Sequence, residues 1–193
     1  RGRAAAAAGV ELASAALENE PSLLGVALGM LQNISLYPQA QAEIMRCRFM
    51  ELIPKFLGGQ KDDAIRLKSL SILHHLTGHA EHAALLIRHN VAILLCQELV
   101  SRPNNVRCRY KALSCMVNLS AIQPDAAHFT QPALLKCLQL LRQIPEIESL
   151  VDHFLYNVST VARQKTLLEH YGMLPKLTPG GRLFASSGGG GGG

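Results

Sequence analysis

The chain has 193 residues, of which 48% are hydrophobic and only 17% charged, with a formal net charge of +5. That length suits one domain or a short repeat array, and the apolar fraction excludes a wholly disordered chain. Without the low-complexity ends (residues 1–9 and 178–193) the net charge falls to +2, which disfavours a strongly cationic nucleic-acid binder.

Residues 1–9 (RGRAAAAAG) form an Ala-rich segment that can extend a helix but offers nothing specific to bury. A weak helical segment follows at Val10–Leu17, and a stronger one at Pro21–Leu36. From there to Leu177 apolar residues recur at helical spacing, and no segment alternates as a strand does. Breakers such as Pro38, Gly58-Gly59, Gly78, Pro103, Pro132 and Pro145 cut this stretch into pieces of ordinary helix length. Residues 178–193 are a flexible Gly-rich tail by composition. The sequence thus predicts an all-α repeat domain over 10–177 between two low-complexity ends.

No apolar run approaches the roughly 18–20 residues that a membrane helix needs, so no membrane segment is expected. Cys47, Cys96, Cys108, Cys115 and Cys137 form an odd set without CxxC spacing, each inside a helical pattern. Buried, reduced thiols in the cytoplasm or nucleus are the expectation.

Internal self-similarity is the strongest signal. LQNIS (Leu31–Ser35) returns as LHHLT (Leu73–Thr77), MVNLS (Met116–Ser120) and LYNVS (Leu155–Ser159), at offsets of 42, 43 and 39 residues. Each copy reads apolar, any, Asn or His, apolar, Ser or Thr. IMRCRFMELIPKFL (Ile44–Leu57) overlays LIRHNVAILLCQEL (Leu86–Leu99) at the same offset of 42, and LLEHYGMLPKL (Leu167–Leu177) reads as a shortened fourth copy. A period near 42 with about three helices per unit is what stacked helical repeats require, because one unit cannot bury its own apolar face.

These residues resemble an armadillo repeat: a short first helix (Gln41–Arg48), a second through MELIPKFLGG (Met50–Gly59), and a third through RLKSLSILHHLTG (Arg66–Gly78). The pattern, which HEAT-type repeats share in part, covers roughly residues 21–177. The resemblance implies an α-solenoid, a right-handed superhelix of about three and a half armadillo-like repeats, whose asparagine-bearing third helices line a concave groove. Short arrays of this kind also occur inside long scaffolds such as rotatin-like ciliary proteins. The family's nuclear-import adaptors carry tryptophan four residues before the ladder asparagine. Here that row reads Gly29, Ser71, Ser114 and His153, so their tryptophan–asparagine recognition of nuclear-localisation peptides is not expected.

Other motifs carry less. The sequons at Asn33, Asn118 and Asn157 are the repeat motif itself on helices, so glycosylation is not expected. His75, His79 and His82 are spaced as metal ligands can be, but Gly78 separates them and HAEHA is not HExxH; no metal or other cofactor is implied. No nucleophile elbow, phosphate loop or carboxylate pair appears, so the chain is not expected to be an enzyme.

The third helices suggest a binding face. Stepping back from the ladder position by 4, 7 and 11 residues traces one stripe: Arg107, Lys111, Ser114, Asn118 in one unit and Ala64, Lys68, Ser71, His75 in the preceding one. The opposite stripe, Tyr110, Leu113 and Met116 or Leu67, Leu70 and Leu73, is expected in the core. Arg102, Arg107, Arg109 and Lys111 occur with no acid from 99 through 111. Asn33, Asn118 and Asn157, with His75 substituting, are therefore candidates for holding the backbone of an extended peptide. Lys68, Arg107 and Lys111 would make that peptide acidic. The expected role is protein binding without catalysis, the alternative a structural segment of a larger ciliary or centrosomal scaffold, with nucleic acid disfavoured. Because terminal repeats expose the face a neighbour would cover, self-association through under-capped ends is also expected.

Overall fold

The computed structural model describes residues 2–47, 49–58, 62–101 and 105–176. The Gly-rich tail expected at 178–193 lies outside them, as do Arg1, Arg102 and Leu177. The described chain is all-α: eleven α-helices and one 3-10 turn, with no strand among the described residues.

The helices are α1 (Gly2–Asn19), α2 (Pro21–Ile34), α3 (Pro38–Arg46), α4 (Phe49–Gly58), α5 (Asp63–Thr77) and α6 (Ala80–Arg88). There follow α7 (Val91–Ser101), α8 (Val106–Ile122), the 3-10 turn (Ala127–Thr130), α9 (Pro132–Leu141), α10 (Pro145–Ser159) and α11 (Ala162–His170). The sequence breakers turn out to be helix starts as much as stops. Pro21, Pro38, Pro132 and Pro145 open α2, α3, α9 and α10, where the missing N–H has no intrahelical partner to lose. Asp62 and Asn105 cap α5 and α8 by accepting from the backbone N–H of Ala64 (2.7 Å) and Cys108 (2.9 Å). Asn90, at φ 60°, turns the chain between α6 and α7, a conformation asparagine tolerates better than most residues.

The elements recur in the order first, second, third: α3–α4–α5, then α6–α7–α8, then the 3-10 turn with α9–α10. A second–third pair, α1–α2, precedes them, and a lone first-type helix, α11, follows. Third helices pack in sequence, α2 on α5, α5 on α8, α8 on α10, and second helices α4, α7 and α9 do likewise. One apolar core runs through all of them. In the third unit the turn is anchored by Phe129, whose ring meets Phe154 of α10 edge to face at 5.2 Å.

Two expectations change at the ends. α1 runs unbroken through residues 9 and 10, so the composition shift there marks no break in structure. The Ala-rich segment also buries something: Ala6 and Gly9 are inside, and a Cβ on Gly9 would stand 2.8 Å from Leu31 Cδ2. Small residues are what let α1 approach α2 this closely. At the other end, the shortened fourth copy read at Leu167–Leu177 is helical only as far as His170 over the described residues. After α11, Gly172 turns at φ 63° and residues 173–176 run non-helically against α9 and α10. Gln139 Nε2 donates to Tyr171 O (3.0 Å), Arg142 Nη2 donates to Leu174 O (2.9 Å), and Met173 is buried.

Candidate interaction face of the third helices

The four motif copies fall at the C-terminal ends of α2, α5, α8 and α10, and their Ser or Thr hydroxyls do one thing in common. Ser35, Thr77, Ser120 and Ser159 each donate to the carbonyl three residues back, at 2.7, 3.0, 2.9 and 2.8 Å. A hydroxyl has one hydrogen, so each oxygen is left as an acceptor. The next unit's ladder residue supplies the donor. Asn118 Nδ2 donates to Thr77 Oγ1 at 3.1 Å, and Asn157 Nδ2 donates to Ser120 Oγ at 3.0 Å and to Val117 O at 3.1 Å. His75 Nδ1 lies 2.7 Å from Ser35 Oγ and must donate for the same reason. The repeated motif is therefore a staple between consecutive third helices.

This changes what the ladder can offer a ligand. Both amide hydrogens of Asn157 and one of Asn118 are engaged inside the array, so what remains for an outside group is the two Oδ1 carbonyls and one N–H of Asn118. Asn33, in the first copy, is exposed and has no hydrogen-bond partner among the described residues. Sequence reasoning assigned the asparagines outward. The overlooked signal was the invariable hydroxyl two residues later in all four copies, an acceptor that needs a donor from elsewhere.

The basic stripe separates into three kinds of residue. Lys68, half-buried on α5, donates from Nζ to Gly25 O at 2.7 Å. It reaches that carbonyl because Gly25 and Gly29 place no side chain there, whereas on α5 the equivalent carbonyl, Leu67 O, already accepts from Ser71 Oγ at 2.8 Å. Lys111, in the same register on α8, is half-buried, lies close enough to His74 and His75 to disfavour their protonation, and forms no ion pair among the described residues. Arg107, one turn earlier, is exposed.

Arg109 does not belong to this face. It is buried and donates from Nε and Nη2 to Leu99 O, at 3.3 and 3.1 Å. Its counterpart Arg66 is buried too, with Nε 3.3 Å from Glu98 Oε1 and an ion pair to Asp63. Both arginines lock third helices to α7. Tyr110, expected in the core, is instead exposed, and Leu67 is half-buried; Leu70, Leu73, Leu113 and Met116 are buried as the pattern required.

Burial, then Lys111, then His75 depress His74 to about 4 from its ordinary 6.5, and burial and Lys111 lower His75 likewise. The α5–α8 junction thus holds two imidazoles whose protonation is disfavoured, beside Lys111. His79 sits before α6 as its N-cap, across Gly78 from His75. Among the described residues no group of three or more His, Cys, Asp or Glu side chains is arranged to hold a metal ion. The five cysteines are free thiols, and burial pushes Cys96 and Cys115 up to about 12. Among the described residues no single helix is long and apolar enough to cross a membrane.

No protein-family model matches the sequence, and comparison with curated proteins gives no match. Among solved structures, the chain is similar to a crystal structure of an engineered protein from the Northeast Structural Genomics Consortium. The TM-score is 0.69 at 15% identity, covering 88% of this chain and 78% of that one. At that identity the likeness concerns the helical fold alone.

Proposed function

We propose that the chain is an armadillo-like array, a right-handed superhelix of about three and a half repeats. In this reading it acts without catalysis, binding an extended acidic segment of another protein along the third-helix face. The observation that carries the reading is the state of the α8 cations: among the described residues neither Lys111 nor Arg107 meets a carboxylate. A half-buried lysine beside two histidines whose protonation is disfavoured is a site that a ligand carboxylate would favour. Lys68, held over α2, extends the positive field along the same register. The Oδ1 atoms of Asn118 and Asn157 supply acceptors for peptide N–H groups. Free thiols fit a reducing compartment, cytoplasm or nucleus.

The test is anisotropy titration with a labelled Glu-rich peptide, a neutral Gln-substituted control and a single-stranded oligonucleotide. Binding should prefer the Glu-rich peptide, weaken with salt, and fall about tenfold or more in Lys111→Glu/Arg107→Glu. Equal binding of the Gln-substituted peptide, or tighter binding of the oligonucleotide, would sink the reading. A second reading, a structural segment of a longer scaffold with no groove ligand, is favoured by one observation: the amides of Asn118 and Asn157 point into neighbouring repeats. No binding of any peptide, with Asn118→Ala and Asn157→Ala destabilised, would support it.

A further inference from the structure

Each third helix after the first meets its predecessor with one row of residues at helical spacing. On α5 that row is Ile65, Lys68, Ile72 and His75; Lys68 donates to Gly25 O, a Cβ on Gly25 would stand 3.6 Å from Ile65 Cδ1, and His75 donates to Ser35. On α8 the row is Cys108, Lys111, Cys115 and Asn118; Cys115 Sγ donates to Leu70 O at 3.7 Å and Asn118 to Thr77. On α10 it is Ile147, Leu150, Phe154 and Asn157, with Asn157 on Ser120. Ile65 and Ile72 are 6% and 0% exposed, Ile147 and Phe154 both 0%.

The same register on α2 reads Leu23, Val26, Met30 and Asn33. These side chains are not covered: Leu23 is 42% exposed, Val26 59% and Met30 49%. Asn33, the fourth member, is the ladder residue that lacks an acceptor. An apolar stripe ending in an unused amide is the incoming half of the interface that the chain builds three times internally.

The complementary half stands at the other end. Ser159 donates to Tyr156 O at 2.8 Å, as the other three motif hydroxyls do to their own helices, and so keeps an acceptor for a following ladder residue. Among the described residues none follows. Ser149 and Tyr156, in register with Tyr110 and Val117 of α8, are exposed.

We propose that the exposed face of α2 docks onto α10 of a second copy of this chain, Asn33 donating to Ser159 of the partner, so that α11 of one copy and α1–α2 of the next complete a repeat. Neither face carries an Asp, Glu, Lys or Arg in these registers, so no like charges oppose the contact. In this register α1 approaches the α9 side of the partner, and the stretch from Tyr171 to Leu174, held there by Gln139 and Arg142, is exchanged for it. The interface is heterologous and unclosed, so copies add end to end and do not stop at two. This goes beyond the peptide-binding reading and does not depend on it.

Sedimentation velocity over a wide concentration series tests the idea, with circular dichroism as a control for folding. The parent should gain mass continuously with concentration. Val26→Asp/Met30→Asp, at exposed positions on α2, should weaken association about a hundredfold. Ser149→Asp/Tyr156→Asp on α10 should do the same. Mixed together, the two variants retain one intact face each and should form a dimer and nothing larger. A parent that stays monomeric throughout overturns the proposal. So does a parent mass that levels off at two copies with no complex in the mixture, the signature of α2 pairing with α2.

Discussion

His75 Nδ1 lies 2.7 Å from Ser35 Oγ, and because Ser35 already donates its hydrogen to Gln32 O, the imidazole is the donor. One ring N–H thus does on α5 what an asparagine amide does on α8 and α10. His75→Asn should therefore keep the staple and change stability by less than about 0.5 kcal/mol. His75→Leu removes the donor and should cost about 1–2 kcal/mol in chemical denaturation. Equal stability of the two variants would contradict the assignment.

Asn157 and Asn33 occupy the same motif position but opposite circumstances, one donating to Ser120 and Val117, the other exposed. Asn157→Ala should lower stability by about 1–2 kcal/mol, and Asn33→Ala by less than about 0.5 kcal/mol at dilute concentration. Urea melts of the two single variants decide it. A large loss for Asn33→Ala, or none for Asn157→Ala, would show the staple has been misread.

Acid should loosen the α5–α8 junction. His74 is held near 4 against an ordinary 6.5, so between those values the unfolded chain takes up a proton that the folded chain refuses. Stability is then complete above pH 6.5, declines as pH falls toward 4 and levels below that. The expected loss is about 2 kcal/mol, reduced from the full shift because the ring is partly solvated. His74→Gln should flatten this part of the melting-temperature profile; an unchanged slope would remove His74 from the explanation.

The close approach of α1 to α2 rests on Gly9. Building a valine there drives side-chain carbon into Leu31, which is fully buried and cannot swing away freely. Gly9→Val should destabilise by about 1–3 kcal/mol, more than the gain in helix propensity over glycine can offset. Neutral behaviour in thermal melts would mean that α1 frays from the array.

Breaking the buried Arg66–Glu98 pair should be costly. Glu98→Ala removes the carboxylate beside a guanidinium that is 2% exposed, and a loss of about 3 kcal/mol is expected. Glu98→Gln, which keeps an acceptor, should lose less. The order of the two midpoints in guanidinium chloride is the readout.

What the sequence by itself determined about this protein is its period and its helices. A hydrophobic repeat near 42 residues punctuated by proline and glycine is a local property of the chain, and it fixed α3–α5 to within a few residues. The core leucines followed, because a helical stripe has only one apolar side to bury. Which polar residues faced outward was decided only by tertiary structure. Arg109 and Lys111 are two residues apart in a basic cluster, yet one is buried on Leu99 O and the other faces the preceding third helix, α5. A stripe on a helical wheel shows direction around one helix and says nothing of what packs there. The asparagines illustrate the same limit. Their acceptors lie 37 to 41 residues away, so whether an amide waits for a ligand or joins two repeats depends on how the helices stack. That is settled by packing, where a buried donor must find an acceptor and the nearest one belongs to the neighbouring unit.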